Sequence, residues 1–409
     1  MMKHSFDRPA SAPALWPLDP KVVFLNHGSF GSCPHAVLEF QRQILARMER
    51  ESVRFLVRDL EPLLDGARKS LARFLHADAD NLVFVPNATA GINTVLRSLR
   101  FKRGDELLVA DHEYNASRNA LNFAAEQAGA RVVVAKVPFP LRSATEITEA
   151  IMSRVTPRTR LALLDHVTSQ TGLIFPLEEL VRQLSARGVE TLVDGAHAPG
   201  MVPVNLRKLG ATYYGGNCHK WLCAPKSAAF LYVQPDRQEL IRPLVISHGA
   251  NSRRTDRSRF QVEFAWTGTG DPSAFLSVPA AIKFVGAQMP GGWPEVLRQN
   301  HALAVAARNL ICDALEIELP CPEELIGSMA SIPIPDAPAR SRAKAPWFID
   351  PLQDRLFFKH GIEVPIIPWP APPRRLLRVA AQLYNSLPQY GRLAAVLKKM
   401  FDRSASRFG

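Results

Sequence analysis

Residues 192–221, LVDGAHAPGMVPVNLRKLGATYYGGNCHKW, contain two short β-rich runs that each lead into polar side chains. The first run ends in Asp194, and His197 follows three residues later. The second run leads to His219 and Lys220. In an open α/β sheet, ligands bind beyond the carboxyl ends of the strands, so these four side chains can face one crevice. The segment therefore predicts an α/β sheet with a ligand site at one edge.

The sequence around this segment alternates β-rich runs with helical patterns. Strands are predicted at 82–86, 106–111, 131–137, 160–167, 189–194, 211–215 and 227–233. Helices are predicted between them at 90–101, 116–128, 145–155 and 176–187. Near-continuous apolar strands are typical of burial on both faces. The series therefore predicts a mostly parallel sheet covered by helices on both sides.

The C-terminal part of the chain has a different pattern. Residues 333–373 are rich in proline, which is typical of short strands and turns, and helices are predicted at 299–315 and 389–401. We interpret this part as a second, smaller α+β domain.

Composition excludes several classes of protein. The 409 residues are 47% hydrophobic and 22% charged, which is typical of a globular chain of two or three domains and excludes global disorder. The five cysteines are an odd number and include no C-x-x-C pair. They indicate neither a disulfide framework nor a structural zinc site, so no metal is predicted and a reducing cytoplasm is expected.

Neither a membrane nor a nucleic acid is an expected partner. No apolar run approaches the length of about 18 residues that spans a bilayer, and the first 20 residues lack the apolar core of a signal peptide. The net charge is +12, but the densest basic cluster, at 253–259, is interrupted by Asp256 and lacks interleaved aromatic residues. A solvated basic face or sites for small anions explain the charge equally well.

Lys220 and Asp194 are the pair that pyridoxal phosphate (PLP) requires. This cofactor forms a Schiff base with a lysine, and an acid keeps its pyridine nitrogen protonated, which makes the ring an electron sink. Each residue alone has an ordinary interpretation, because a lysine is usually a surface charge and an aspartate at a strand end is usually a cap. Their order within a predicted wound sheet favours the cofactor.

Several motifs carry a family resemblance. The strongest are DGAHAPG at 194–200 and GNCHKWLCAPK at 216–226. The others, in chain order, are NHGSFG at 26–31, NATAG at 87–91, DHEYNA at 111–116, HVTSQTG at 166–172, WTGT at 266–269, and Arg378 with Tyr384 and Asn385. Together they resemble the class V aminotransferase family, and within it the isopenicillin N epimerase-like branch.

The resemblance implies the fold type I architecture of PLP-dependent transferases. This is an α/β large domain with a mostly parallel seven-stranded sheet, a smaller α+β C-terminal domain, and a homodimer whose active sites lie at the subunit interface. We expect residues 26–280 to form the large domain and residues 281–409 the small domain. Residues 1–25 are expected to pack with the small domain.

The resemblance also implies roles around the PLP ring. Lys220 forms the Schiff base and moves the Cα proton, and Asp194 pairs with the pyridinium nitrogen. His197 lies near the phenolic oxygen, with Ser169 a weaker candidate for the same place. A buried histidine satisfied by backbone groups is the alternative for His197. Tyr114 is expected to stack on the ring, although many relatives use a histidine there.

A phosphate site is expected where the turn 87–91 opens a helix. Free N–H groups and the macrodipole at a helix N-terminus attract an anion. Ala88 and Thr89 lie in this turn, and Thr89 is also a candidate for the helix cap. By resemblance, Asn217 and His219 add phosphate contacts, and Thr269 reaches the phosphate of the partner subunit.

Three residues are expected to bind substrate. Arg378 is the candidate for the substrate α-carboxylate, because a guanidinium forms two parallel hydrogen bonds to a carboxylate. Asn26 and His27, on an N-terminal loop, are expected to line the entrance to the site.

The motifs predict the reaction less specifically than they predict the cofactor. The leading hypothesis is an epimerase acting on the α-carbon of an amino-acid substrate, similar to isopenicillin N epimerase. The alternatives are a β-eliminating C–S lyase, an aminotransferase, and a non-catalytic protein that kept the fold. Cys218 and Cys223 flank Lys220, but they are interpreted as small buried thiols, which lowers the rank of a persulfide-relay desulfurase. Gly270 after the WTGT motif departs from the pattern of the branch.

Overall fold

The computed structural model describes residues 12–338 and 349–405. Its strands are β1 (Val23–Phe24), β2 (Leu82–Val85), β3 (Glu106–Ala110), β4 (Arg131–Ala135), β5 (Thr159–Asp165), β6 (Glu190–Gly195), β7 (Tyr213–Asn217), β8 (Ala229–Val233), β9 (Met329–Ile334), β10 (Ile362–Glu363), β11 (Ile366–Pro368) and β12 (Arg375–Ala380). Its α-helices are α1 (His27–Phe30), α2 (His35–Arg50), α3 (Ser52–Arg54), α4 (Leu60–Phe74), α5 (Ala88–Ser98), α6 (Asn115–Ala128), α7 (Ala144–Met152), α8 (Leu177–Ser185), α9 (Leu206–Leu209), α10 (Arg259–Ala265), α11 (Ser273–Leu276), α12 (Val278–Gly286), α13 (Gly292–Leu315), α14 (Pro351–His360) and α15 (Leu387–Ala405).

Seven strands form the main sheet, in the order β2-β8-β7-β6-β5-β3-β4. Strands β7, β6, β5, β3 and β4 pair in parallel, whereas β8 is antiparallel to both of its neighbours. The α/β fold with a mostly parallel seven-stranded sheet is therefore confirmed.

Both faces of this sheet are buried, as the apolar strands predict. Along β6, Leu192 packs into one hydrophobic cluster and Val193 into another, because successive side chains point to opposite faces. Along β5, Leu161 and Ala162 divide in the same way. The strand interiors are consequently held on both sides, and their carboxyl ends are left to carry polar side chains.

The predicted elements of this sheet are all present, with shifted ends. The strand predicted at 211–215 is β7, Tyr213–Asn217, whose pairing with β8 continues to Asn217. The sequence does not indicate this extension, because it contains two glycines, which are uncommon in strands. Gly216 is required there, because a Cβ would lie 2.6 Å from the ring of Phe230. The helix predicted at 299–315 begins earlier, at Gly292, since Pro294 occupies a first turn that needs no N–H donor.

The C-terminal part forms a smaller α+β unit. Strands β11, β12 and β9 make an antiparallel sheet in that order, accompanied by α13, α14 and α15. The proline-rich stretch at 333–373 contains the end of β9, all of α14, β10 and β11, and the turn before β12. Residues 339–348 of this stretch lie outside the described residues. The prediction of a second α+β region is confirmed.

The N-terminal segment joins this unit. Strand β1 pairs in parallel with β10, and the ring of Trp16 contacts the rings of Phe284 and Tyr384. Residues 1–11 of the expected 1–25 segment lie outside the described residues. The domain boundaries at 26–280 and 281–409 stay predictions. Among the described residues, no helix is long and apolar enough to span a bilayer.

Candidate active site

Asp194 lies at the carboxyl end of β6, where the sheet register places it beside Asp165 of β5 and Gly215 of β7. The carboxylate is buried. Ser117 of α6 donates a hydrogen bond to Oδ2 at 2.7 Å, and the Ala196 N–H donates to Oδ1 at 3.1 Å. These two donors fix the plane of the carboxylate at the edge of the sheet.

Lys220 follows β7 and points to the same edge. Its Nζ lies 3.0 Å from Nε2 of His197. Burial lowers the pKa of Lys220 to about 8, the positive charge of Arg378 lowers it further, and Asp194 opposes both effects. Lys220, His197 and Asp194 therefore share one pocket, as their sequence order predicts. The lowered pKa leaves a fraction of the lysine as free amine near neutral pH, far more than an exposed lysine would have.

His197 is buried, but side chains rather than backbone groups contact its ring nitrogens. Nε2 meets Lys220, and Nδ1 accepts a hydrogen bond from the indole N–H of Trp221 at 3.4 Å. Burial, together with the charges of Lys220 and Arg378, holds the pKa of His197 well below its usual range. His197 is therefore a neutral imidazole in contact with the lysine amine.

The start of α5 forms the expected anion-binding turn, with one correction. Asn87, and not Thr89, is the N-cap, and its side chain accepts from the Ala90 N–H at 2.8 Å. Asn217 accepts from the Ala88 N–H at 2.8 Å, which ties the helix start to β7. Thr89 is half-buried, and its hydroxyl is not used as a cap.

His219 is anchored beside this turn. Its Nδ1 donates to the carbonyl of Ala228 at 2.8 Å. Burial lowers the pKa of His219 to about 4, the Ala228 hydrogen bond opposes this shift, and the charges of Lys220 and Lys226 add to it. A neutral His219 with its hydrogen on Nδ1 has only a lone pair at Nε2, so it must gain a proton before Nε2 can donate to a phosphate.

Arg378 of β12 reaches the same pocket from the smaller unit. It donates to the carbonyl of Ser169 and to the hydroxyl of Ser29, the latter at 2.7 Å. Its buried Nε has no hydrogen-bond partner. Burial lowers the pKa of Arg378 to about 10, and Tyr114 opposes this shift. The unpartnered Nε leaves one edge of the guanidinium able to take a carboxylate.

Asn26 and His27 make their contacts with protein groups on the main-chain side of Lys220 and in the smaller unit. The amide of Asn26 donates to Glu363 at 2.9 Å. His27 is fully buried, with Nδ1 2.7 Å from the Tyr384 hydroxyl and Nε2 3.1 Å from the carbonyl oxygen of Lys220. Burial lowers the pKa of His27 to about 3. His27 thus contacts the main chain of Lys220 rather than open space.

Tyr114 and Thr269 are the two expected site residues that remain exposed. Tyr114 begins the turn into α6, is 43% exposed, and interacts electrostatically with Arg378. Thr269 lies on an exposed turn between α10 and α11. The single chain brings Tyr114 toward the pocket but does not bring Thr269 there.

The sequence interpretation missed two buried carboxyls beside Asp194. Glu113 and Asp165 interact with each other and with Asp194, and each has a buried oxygen without a hydrogen-bond partner. Burial, and then the charges of Asp165 and Asp194, raises the pKa of Glu113 well above its usual range. Burial, and then the charge of Asp194, does the same for Asp165, and Glu113 opposes this shift. The sequence signal was present, since Asp165 ends a predicted strand just as Asp194 does. Ser29, Ser117 and Trp221 were also missed as partners of site residues.

All five cysteines are buried and unpaired. Burial raises the pKa of Cys218 and of Cys223, so neither thiol beside Lys220 is activated as a thiolate. The interpretation of these two residues as buried thiols is confirmed.

The residues present fit PLP in three respects. A lysine amine and a buried carboxylate share the pocket, which matches the two ends of the cofactor ring. The N-terminus of α5 opens beside them with the hydroxyl of Thr89. The unpartnered Nε of Arg378 leaves a cationic donor for the carboxylate of an amino acid.

Comparison with known proteins agrees with this geometry. The family model for class V aminotransferases matches residues 32–344. An isopenicillin N epimerase of Amycolatopsis lactamdurans is 35% identical, covering 94% of this chain and 96% of its own. A probable chloroplastic L-cysteine desulfhydrase of Arabidopsis thaliana is 32% identical, covering 92% of this chain and 82% of its own. A solved C-DES variant with glycine covalently linked to its PLP cofactor has a TM-score of 0.77 at 21% identity, covering 95% and 99%.

The chain therefore belongs to the class V aminotransferase family. It is an enzyme of that PLP-dependent family, and its fold is that of the PLP-dependent structures. The family resemblance, the fold class and the cofactor predicted from the sequence are confirmed.

Proposed function

We propose that this enzyme acts at the α-carbon of an amino-acid substrate and inverts its configuration. When bound, PLP supplies an aldehyde that condenses with amines and a protonated ring that accepts the electrons of a broken bond at Cα. Lys220 and Asp194 would hold the two ends of the ring, His197 and Ser169 its phenolic side, and Ala88, Thr89, Asn217 and His219 its phosphate.

The chain's own groups supply binding and proton transfer. Arg378 binds the substrate α-carboxylate through its free edge and so orients the Cα–H bond. Lys220, with its lowered pKa, takes the Cα proton on one face. Tyr114 is the candidate acid for the opposite face, because it is exposed at the pocket, whereas both nitrogens of His27 already contact protein atoms.

The observation that carries this proposal is the 3.0 Å contact between Lys220 Nζ and His197 Nε2. The charge of Arg378 acts on both groups, and Asp194 acts on Lys220. Proton removal at Cα is common to all candidate reactions, so this contact supports the site and not the outcome. The likeness to isopenicillin N epimerase over nearly the full length of both chains supports inversion.

Exchange in deuterated water tests the reaction. Isopenicillin N incubated with holoenzyme is expected to gain deuterium at Cα with inverted configuration and to give no oxo acid. Tyr114→Phe is expected to keep exchange with retention and to lose inversion by at least about tenfold. Exchange and inversion that both survive in Tyr114→Phe would remove Tyr114 from the second face.

A C–S lyase is the second candidate, supported by the likeness to a cysteine desulfhydrase. With L-cysteine, β-elimination breaks the Cβ–S bond, and water then releases ammonia, so the products are sulfide, pyruvate and ammonia. Pyruvate and sulfide in equal amounts would select the lyase. Release of an oxo acid that keeps the carbon skeleton, with the amino group retained on the cofactor, would select an aminotransferase.

Borohydride trapping tests the lysine. Reduction of the holoenzyme should fix the cofactor to the peptide that contains Lys220. Lys220→Ala is expected to abolish turnover while circular dichroism shows the same fold. Normal turnover in Lys220→Ala would contradict the proposal for every candidate reaction.

We also propose a homodimer in which Thr269 of one subunit approaches the phosphate of the other. Thr269 is exposed, and the turn that carries it borders a largely apolar cavity of about 440 Å³ lined by α4, β2 and α5. Sedimentation should give a dimer. Thr269→Ala should weaken PLP binding while the protein remains dimeric. A monomer that holds a full complement of PLP would exclude the shared site.

A reducing compartment such as the cytoplasm is proposed for this enzyme, because all five thiols are free. Fractionation of the source cells tests this, and recovery in an oxidising compartment would contradict it.

A further inference from the structure

Trp221 directly follows Lys220 and is fully buried. Its indole Nε1 lies 3.4 Å from Nδ1 of His197. An indole N–H donates and never accepts, so Nδ1 must be the acceptor and carries no hydrogen. Because burial and the nearby cations hold the pKa of His197 well below its usual range, the imidazole has a single hydrogen. That hydrogen therefore sits on Nε2, which is 3.0 Å from the Lys220 amine.

We propose that Trp221 is a positioning residue that holds His197 as its Nε2–H tautomer, so that His197 presents a donor to whatever lies beside Lys220. Before PLP binds, that donor faces the lone pair of the Lys220 amine whenever the lysine is deprotonated. When PLP is bound, the same donor is available to an oxygen of the cofactor. This inference rests on the proposed roles of Lys220 and His197 and is independent of which reaction follows.

The tautomer matters because it decides which form of Lys220 is favoured. An Nε2–H group can donate to an amine but repels an ammonium, whereas a bare Nε2 would accept from an ammonium and stabilise it. The other ionisable or charged groups near Lys220 are Asp194 on β6, Arg378 on β12, and His219 on its own segment. Asp194 stabilises the ammonium and Arg378 disfavours it, so the tautomer of His197 adds to the effect of Arg378.

The second histidine beside Lys220 is fixed in the same form by a different partner. The Lys220 carbonyl can only accept, so Nε2 of His27 donates to it and Nδ1 accepts from the Tyr384 hydroxyl. The rings of His27 and Trp221 are in contact, with centroids 4.9 Å apart. A test must therefore keep an aromatic ring at position 221 and remove only its donor.

Trp221→Phe makes this change. The matched control is Trp293→Phe, which removes an indole hydrogen bond of 2.9 Å to the carbonyl of Ile282, outside the site. The experiment is solid-state ¹⁵N NMR of full-length protein labelled at histidine, with and without bound PLP, and His197→Gln assigns the signals. We expect a protonated Nε2 and a bare Nδ1 for His197 in the wild-type protein and in Trp293→Phe, and a substantial fraction with Nδ1–H in Trp221→Phe.

The pKa of Lys220 gives a second measurement. Only the free amine reacts with an acylating reagent, so the pH dependence of labelling at Lys220, followed by peptide mapping of protein without PLP, reports this pKa. We expect a midpoint near 8 in the wild-type protein. In Trp221→Phe the midpoint should rise by about 0.5 to 1 pH unit, because the bare Nε2 can then accept from the ammonium.

Specific results would overturn the proposal. A protonated Nδ1 on His197 in the wild-type protein excludes it, even if Trp221→Phe does not fold. An unchanged His197 tautomer in folded Trp221→Phe shows that Trp221 does not control it. A protonated Nε2 together with failure of borohydride to label Lys220 would contradict the proposed function and leave the tautomer assignment intact.

Discussion

At the level of single residues, the pocket combines three buried carboxyl groups with the amine of Lys220. Glu113, Asp165 and Asp194 place three carboxyls together in a buried space, and Asp194 interacts electrostatically with Lys220. Asp194 has two protein donors, whereas Glu113 and Asp165 each keep an oxygen that no donor reaches. Two buried carboxyls in contact satisfy each other when they share a proton, because only the protonated one can donate. We therefore interpret Glu113 and Asp165 as a proton-sharing pair beside Asp194.

This pair predicts a pH dependence of stability. Because the pKa of Glu113 and that of Asp165 are raised in the folded chain, folding takes up protons above the unfolded values of about 4. Below that pH the pair therefore makes its full contribution to the free energy of unfolding. This contribution is lost as pH rises toward the folded pKa values. Asp165→Asn removes one titrating group, and its amide can donate to Glu113.

We expect the free energy of unfolding of the protein without PLP to fall less steeply between about pH 5 and 8 in Asp165→Asn than in the wild-type protein. Urea denaturation at several pH values measures this slope. Glu49→Gln, at an exposed position, should keep the wild-type slope. Equal slopes in Asp165→Asn and the wild-type protein would show that Asp165 is ionised in the folded chain.

Among the elements, the segment that carries Lys220 is held by the turn that follows β6. Gly200 in this turn has a φ of +86°, and a Cβ there would lie 2.6 Å from the carbonyl carbon of Trp221. The turn and the lysine segment therefore pack backbone against backbone. Gly210 has a similar φ of +67° but open space around it. A comparison of substitutions at the two glycines therefore distinguishes the effect of backbone conformation from that of steric contact.

Gly200→Ala and Gly210→Ala should differ for this reason. Gly210→Ala is expected to cost about 1 kcal/mol of stability, which is the cost of the left-handed conformation alone, and to leave PLP binding unchanged. Gly200→Ala should cost more, because backbone atoms must move, and it should also weaken PLP binding by displacing Lys220. Urea denaturation and a PLP titration measure the two effects, and equal behaviour of the two variants would contradict the packing argument.

Across the whole molecule, Arg378 connects three parts of the chain. It is carried by β12, it donates to Ser29 of the N-terminal segment, and it donates to the carbonyl of Ser169 after β5. The N-terminal segment is itself paired to β10 of the smaller unit. The orientation of the substrate carboxylate site therefore depends on how the chain termini pack onto the large sheet.

Ser29→Ala removes one of these contacts. We expect KM for an amino-acid substrate to rise by about two- to tenfold with kcat little changed, because a single hydrogen bond that positions the guanidinium is lost. Steady-state kinetics measure the two constants. Ser153→Ala, at an exposed position, is the control. A fall in kcat with an unchanged KM would place Ser29 in the proton-transfer step instead.

The amino-acid sequence alone predicts the sheet, its helices and the pair of Asp194 and Lys220 at its edge. Apolar strands, helical spacing and the order of Asp194 and Lys220 are local patterns, and local patterns are enough because each strand is buried on both faces. It also determined Arg378 as a member of the site, although through family resemblance rather than through any local pattern.

The partners of these residues become known only from the folded chain. Glu113 meets Asp165, Ser29 meets Arg378, and His27 meets the main chain of Lys220. Each contact joins segments that are far apart in the chain, so no periodicity or spacing reports it. The protonation state of Lys220 was decided in the same way, because burial and neighbouring charge, which depend on the assembled pocket, set its pKa.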